Sequence, residues 1–181
     1  SILSDRPLSK EEAARLRAAG EPALRIRTRL EELANHTYGY LVPRDLYYIR
    51  NRARAKGDRS VSLFSAALGT ALDIKPVLRG HRGDTGPVAK IKGFEPAVEK
   101  VFAGTIKRIQ AGLMTPTVCL SYGGELDEMR ALPGYEALRA ACVENNIELF
   151  ESVMSLTGMV NVGKGAVVVG FASEGGITFE R

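Results

Sequence analysis

The chain has 181 residues, of which 45% are hydrophobic and 25% charged, and its formal net charge at pH 7 is +4. These values are typical of a globular domain that folds without disulfide or metal cross-links, since a chain of this length buries roughly 70% of its unfolded surface. No apolar run approaches the ~18 residues of a membrane-spanning helix, so we expect no integral membrane segment.

The two cysteines, Cys119 and Cys142, lack CxxC spacing, and each lies in an apolar stretch. We therefore expect free, buried thiols in a reducing compartment. The chain starts with polar residues rather than a signal-like segment, and together these features predict a cytoplasmic location.

Two helices are expected at the start of the chain. Ser9 and Glu12 have the spacing of a capping box and predict a helix over Lys10–Ala19. Gly20 and a following proline interrupt the pattern, so that a second helix is predicted over Pro22–Asn35.

Strands and short helices are predicted next. β-Branched and aromatic residues favour a strand, and small residues allow close helix packing. The expected elements are a strand over Thr37–Val42, a helix from Asp45 to about Ala55, a small-residue helix over Leu63–Leu72, and strands Ile74–Arg79 and Val88–Lys92 joined by a longer loop, Gly80–Pro87.

The second half alternates between helix and strand. Apolar residues at steps of three and four predict the clearest helix, Phe94–Leu113. Strands are expected at Thr117–Tyr122, Ile147–Ser155 and Ala166–Ala172, and helices at Leu126–Leu132 and Tyr135–Asn145. The fold class predicted is α/β, with a mixed β-sheet layered with helices.

The segment Gly158–Gly165 matches a phosphate-binding P-loop except at its last position, where Gly165 replaces Ser or Thr. The β-branched run that follows favours a strand, whereas a P-loop needs a helix to receive the phosphates. We interpret this segment as a tight glycine turn leading into a buried strand.

The sequence offers few residues in a pattern suited to metal binding or acid–base catalysis. The two histidines, His36 and His81, are not spaced to share a helix face, and the acidic residues Glu125, Asp127 and Glu128 suit a helix start. We predict no metal site, no catalytic residues and no enzymatic activity.

The basic excess lies between Arg25 and Arg59, with tyrosines nearby. One interpretation is a nucleic-acid-binding or regulatory module that uses Arg25–Lys56. A solvated basic surface explains the same residues, and we favour it.

Another site is suggested where Arg59, with Ser60 and Ser62, directly precedes the apolar helix Leu63–Leu72. An arginine can bind a carboxylate through two parallel hydrogen bonds, and serine hydroxyls can add donors. Charge beside apolar surface suits a ligand with an anionic head group and an apolar body.

Four stretches resemble the DegV family of bacterial fatty-acid-binding proteins: LEELANHTYGYLVPRDLYYIRNRARAKG, KGDRSVSLFSAALGTALDIKPVLRG, GDTGPVAKIKG and NVGKGAVVVGF. The resemblance covers roughly residues 24–173. It implies a helical arm over residues 1–36 and a C-terminal α/β lipid-binding domain over residues 37–181. It also implies that the N-terminal domain of such proteins is missing, so that a fragment or a half-protein is expected.

By this resemblance, Arg59 contacts the fatty-acid carboxylate. Asn161 occupies the position of a family histidine, so an uncharged donor replaces a titratable one, and Lys164 stands where a proline is common. The implied head-group residues are Arg59, Ser60, Ser62, Asn161 and Gly163, and the implied acyl-chain lining is Leu63, Ala66, Ala67, Leu72 and Ile74.

The resemblance implies a non-enzymatic carrier that presents a bound long-chain fatty acid to a fatty-acid kinase. No cofactor and no nucleic acid are expected beside that ligand. The basic module remains the alternative.

Overall fold

The computed structural model describes residues 6–47 and 73–180. The elements in chain order are α1 (Arg6–Ala18), α2 (Ala23–His36), β1 (Thr37–Val42), β2 (Ile74–His81), β3 (Asp84–Lys92), α3 (Phe94–Ala111), β4 (Thr117–Tyr122), α4 (Leu126–Arg130), α5 (Tyr135–Glu144), β5 (Glu148–Val153), α6 (Leu156–Val162) and β6 (Val167–Ala172). Helices predicted over 45–55 and 63–72 lie almost entirely outside the described residues. The side chain of Asp45 accepts a hydrogen bond from the Tyr47 amide, as a helix cap does.

The strands form one sheet in the order β3-β2-β1-β6-β4-β5. Neighbouring strands are antiparallel except β4 and β5, which are parallel. The expected α/β fold with a mixed, helix-layered sheet is confirmed.

The main core lies between one face of this sheet and helices α3 and α5. Alternate residues of each central strand point to this face, because side chains along a strand alternate. Burial of each such large apolar side chain contributes roughly 1.5–3 kcal/mol. The core includes Tyr40, Val42, Val118, Leu120, Val169 and Phe171 from the strands and Val98, Val101, Phe102 and Leu138 from the helices.

The segment after β6 closes this core against α3. Ile177 packs where Gly104 has no side chain, since a Cβ there would lie 2.3 Å from Ile177 Cγ2. The Ile177 amide donates a hydrogen bond of 2.6 Å to the buried hydroxyl of Tyr40. Gly104 thus provides the space in which the C-terminal segment docks.

The opposite face of the sheet carries two smaller apolar clusters. Leu33 of α2 packs against Ala172, with Cys119 beside them. Leu41, Leu78 and Ala166 pack against Val162 of α6, together with Met154. Two different helices therefore cover the two ends of this face.

Helices α1 and α2 are joined to the sheet by polar contacts as well. The buried carboxylate of Glu12 binds Arg15 and Arg29, and Arg29 Nη2 donates to the carbonyl of Met114, which precedes β4. The boundary predicted between residues 36 and 37 stays a prediction.

The predicted loop over Gly80–Pro87 is wrong. Strands β2 and β3 are joined by a two-residue turn, Arg82-Gly83, with φ of 53° and 84°. Both values suit the tight turn that matches the twist of a hairpin. Pro87 is tolerated because β3 is an edge strand.

Helix α6 was also not expected. The strand predicted over Ile147–Ser155 ends at Val153, and the first five of the eight residues of the predicted glycine turn are helical. Ser155 caps this helix, because its hydroxyl accepts a hydrogen bond of 3.1 Å from the Gly158 amide. The buried strand predicted after Gly165 is present as β6.

No helix in the described part of the chain is both long and apolar enough to cross a membrane.

Candidate functional site

The structure describes only part of the predicted site. Asn161, Gly163 and Ile74 lie within the described residues. The others, Arg59, Ser60, Ser62, Leu63, Ala66, Ala67 and Leu72, lie outside them.

Gly163 and Ile74 lie at one end of the sheet, which we call the Arg44 end. Here β1 and β4 finish and β2 and β6 begin. Asn161, in the last turn of α6, is half-buried. The described residues stop at Tyr47 and resume at Asp73, which is next to this end of the sheet. The segment that contains Arg59 connects these two residues.

The turn between α6 and β6 is built on glycine. Gly163 and Gly165 have φ of 92° and 76°, which other residues rarely adopt. The Gly165 amide donates to the carbonyl of Gly123, and the Gly123 amide donates to Ala166. The turn is therefore fixed against the end of β4, while Lys164 is exposed.

Arg44 crosses this turn. Its Nε would lie 2.6 Å from a Cβ on Gly165, so the arginine occupies the space that a side chain there would take. Its guanidinium lies over the ring of Phe94, 4.1 Å from the centroid, and Nη2 is 3.4 Å from the Tyr122 hydroxyl. That hydroxyl donates to Glu128 at 3.1 Å.

The backbone of Arg44 is tied to the start of β2. Lys75 Nζ donates to the Arg44 carbonyl at 2.8 Å and is paired with Asp73 at 2.8 Å. We call this contact the Lys75 clasp. From the sequence, Arg44 was considered only as part of a basic surface, and its packing at this end of the sheet was missed. The available signal was its position directly after the predicted strand β1 and Pro43.

A row of glycines crosses the sheet on the face opposite the main core. Gly80 of β2 pairs with Gly39 of β1, and Gly39 pairs with Gly170 of β6. Gly170 pairs in turn with Cys119 of β4. Three adjacent strands thus lack side chains at one level, and we call Gly80, Gly39 and Gly170 the glycine row.

The surroundings of the glycine row are apolar, and Gly170 leaves space for a side chain. A Cβ on Gly170 would find its nearest neighbours at 3.8 Å, which is ordinary contact. On the side toward the Arg44 end lie Leu78, Leu41 and Val168. On the other side Ala172 packs with Leu33. The row is therefore an apolar strip without side chains between the surfaces that α6 and α2 cover, and we call it the apolar trough.

Cys119 closes one end of this row. Burial, with added repulsion from Glu11 and Glu148, raises the pKa of the Cys119 thiol to about 12. The thiol is therefore neutral and apolar at physiological pH, which suits the wall of an apolar trough. Cys119 is half-buried and Cys142 buried, and both are free, as expected.

The arginines of α2 are largely neutralised. Arg25 pairs with Glu21, Arg27 with Glu31, and Arg29 with Glu32. Exposed pairs of this kind add little stability, but they reduce the charge available to phosphates.

The remaining expectations concern phosphate and metal chemistry. Lys164 follows a helix and precedes a strand, the reverse of the P-loop order. His36 Nδ1 contacts the carbonyl of Glu32 at the end of α2, whereas His81 lies in β2 rather than in a loop, with its ring stacked on Tyr38. The described ranges contain no group of three potential metal ligands.

The chain is similar to known proteins over most of its length. The model of a family described as "Uncharacterised protein, DegV family" matches residues 7–174. Two DegV domain-containing proteins, from Xanthomonas axonopodis pv. citri and Xanthomonas campestris pv. campestris, are each 65% identical over 174 residues. The match covers 96% of this chain and 55% of each relative, so the chain spans about half of their length.

Solved structures share the fold at lower identity. A fatty-acid-binding DegV family protein of Streptococcus agalactiae is 19% identical, with a TM-score of 0.67 over 91% of this chain and 54% of its own. DegV of Bacillus subtilis, described as a fatty-acid-binding protein, is 18% identical, with a TM-score of 0.68 over 93% and 56%. A stearic-acid-binding protein of Eubacterium ventriosum is 18% identical, with a TM-score of 0.66 over 92% and 55%.

Proposed function

The chain belongs to the DegV family, and from this membership we propose that it binds a long-chain fatty acid. The observation that carries the proposal is the glycine row, an apolar trough on the face of the sheet that lies opposite the main core. Burial of an acyl chain contributes ~0.8 kcal/mol per methylene, so such a trough supplies affinity without specific polar contacts.

The head group lies at the Arg44 end in this proposal. Asn161 and Gly163 are there, and the segment with Arg59, Ser60 and Ser62 begins and returns beside them. Gly39 and Arg44 are five positions apart, which is about 16 Å at the rise of a strand. A long acyl chain is long enough to span that distance.

We propose further that the protein acts as a non-enzymatic, cytoplasmic carrier that presents the fatty acid to a fatty-acid kinase. The family resemblance supports this role. The discriminating assay mixes the kinase, ATP and the loaded protein. Equal acyl-phosphate formation with and without the protein excludes presentation.

Solvent extraction and mass spectrometry of the purified 181-residue chain, followed by titration with palmitate and oleate, test binding. A chain that carries no fatty acid and takes up neither one contradicts the proposal.

The trough is tested by Gly170→Val. Valine suits a strand, and its methyls occupy the space of about two methylenes, so we expect oleate affinity to fall about tenfold. Gly86→Val is the matched control, because Gly86 is also a strand glycine with open space around it. Gly86 pairs with Arg79, and the side chains at this position of the sheet point to the face opposite the trough. Equal oleate affinity in the two variants removes the trough as the acyl site.

A further inference from the structure

We propose that one face of α2 pairs with the same face of a second copy of this chain, so that two α2 helices pack antiparallel about a two-fold axis. A groove of about 400 Å³ runs along this helix and also touches Arg17 of α1. We call it the α2 groove. Its residues do not overlap those of the proposed fatty-acid site, so this pairing is independent of lipid binding.

The α2 groove has a regular apolar lining. Its apolar residues follow at steps of three and four along α2, which places them on one face of the helix. They are Ala23, Ile26, Leu30 and Ala34. Leu33 points to the sheet and is fully buried, whereas the four groove residues stay exposed or half-buried. Helix α2 therefore has an apolar stripe beyond the surface that it uses within the fold.

The order of large and small side chains along this stripe suits antiparallel self-pairing. With a rise of 1.5 Å per residue and a two-fold axis at position 29, the stripe residues of the two helices alternate along the pair. Ile26 then lies between the partner's Leu30 and the partner's Ala34, and the two Leu30 side chains meet beside the axis. The alanines lie at both ends of the stripe, where small side chains let the two backbones approach.

The charges that border the stripe complement themselves in the same arrangement. Arg27 and Glu31 are exposed and paired with each other at 2.9 Å. Symmetry about position 29 brings Arg27 level with the partner's Glu31, and Glu31 level with the partner's Arg27. Opposite charges beside an apolar helix seam select the partner and its orientation. A uniformly acidic or basic surface would match only one of the two residues, whereas a second copy matches both.

Sedimentation equilibrium of the 181-residue chain tests this surface. The interface is small, so we expect a dissociation constant on the order of 10–100 µM. The mass should rise with concentration from 19.6 kDa toward about 39 kDa, twice that of one chain. Leu30→Glu puts a carboxylate beside the axis and should weaken the dimer at least ~10-fold. Val143→Glu is the matched control and should have no effect, because Val143 is 71% exposed on α5, which packs on the other face of the sheet.

An exchange of charges separates pairing between chains from effects within one chain. Arg27→Glu makes both border residues acidic, and Glu31→Arg makes both basic, so each variant repels its own copy and should be monomeric where the unaltered chain is a dimer. An equal mixture of the two variants should recover the dimer, since opposite charges then face each other across the axis. Repulsion within each helix persists in the mixture, so the recovery reports contact between chains.

Three results would overturn the proposal. The first is an unaltered chain that keeps the mass of a monomer at about 1 mM, well above the expected dissociation constant. The second is a dimer that Leu30→Glu and Val143→Glu leave equally stable, which places the contact elsewhere on the molecule. The third is a mixture of Arg27→Glu and Glu31→Arg that dissociates as readily as either variant alone, which excludes the antiparallel arrangement.

Discussion

Asn161 lies at the Arg44 end, where we propose that the lipid head group binds. It is half-buried in the last turn of α6, immediately before the glycine turn of the Arg44 end. In the resemblance to DegV proteins this position carries a histidine, which titrates near pH 6.5, whereas asparagine is neutral throughout.

The first prediction is that Asn161→His increases oleate affinity at pH 6 and has little effect at pH 8. The protonated imidazole attracts the carboxylate, and this gain is lost as the pH rises through the pKa of the histidine. Isothermal titration at both pH values measures it. Asn35→His, on the exposed part of α2, is the control, and an equal change at both pH values argues against a charge effect.

The packing of Arg44 was not predicted because it depends on distant segments. Phe94, Tyr122 and Gly165 come from three other parts of the chain and meet only when the sheet forms. Local sequence shows an arginine after a proline and nothing of the ring beneath it.

At the scale of elements, the C-terminal segment packs closely against α3. Ile177 occupies the space over Gly104 and is held by Tyr40. Packing of this closeness leaves no room for an added methyl group.

We predict that Gly104→Val lowers the free energy of unfolding by about 1–3 kcal/mol, because the new side chain overlaps Ile177. Urea denaturation measures the loss. Ala103→Val, on the exposed side of the same helix, controls for helix propensity. In the Gly104→Val background Ile177→Ala should cost less than in the unaltered chain, and strictly additive losses contradict the proposed overlap.

Elements with a clear local pattern were predicted from the sequence. The bounds of β1 and β4 are those expected, and α3 ends within two residues of its prediction, at a glycine with φ of 99°. Helix α6 was missed because its valines favour strands, whereas packing of Val162 against Leu41 and Leu78 decides its conformation.

The glycine row could not be predicted at all. Gly39, Gly80 and Gly170 are isolated in sequence, and only the pairing register of three strands places them side by side. Register depends on the burial of whole faces, which a local pattern does not reveal.

At the scale of the molecule, α1 and α2 cover part of the sheet rather than standing apart from it. Leu33 is fully buried against Ala172, and the Glu12 carboxylate is buried with Arg29. Hydrogen bonds from Arg15, opposed by burial and supplemented by Arg29, hold the pKa of Glu12 below its usual value.

We therefore predict that Leu33→Ala destabilises the whole molecule by about 2–5 kcal/mol and speeds alkylation of Cys119. Removing Leu33 opens the cover over the thiol, so the thiolate becomes more accessible. Mass spectrometry of iodoacetamide-treated protein follows Cys119 and Cys142 separately.

Leu24→Ala is the matched control, because Leu24 lies on the same helix and is 74% exposed. If both variants unfold at the same urea concentration and Cys119 reacts at the same rate in both, the helical arm is not part of the folded unit.

The Lys75 clasp has a consequence for how such a protein can diversify. The hydrogen bond from Lys75 Nζ to the Arg44 carbonyl, at 2.8 Å, joins the two ends of the long connection between β1 and β2. Because the free energy of closing a loop rises only slowly with its length, a connection anchored in this way tolerates insertion, deletion or exchange at little cost to the sheet. Since we propose that this connection carries head-group residues, ligand preference can then evolve by exchange of the connection while the sheet stays constant.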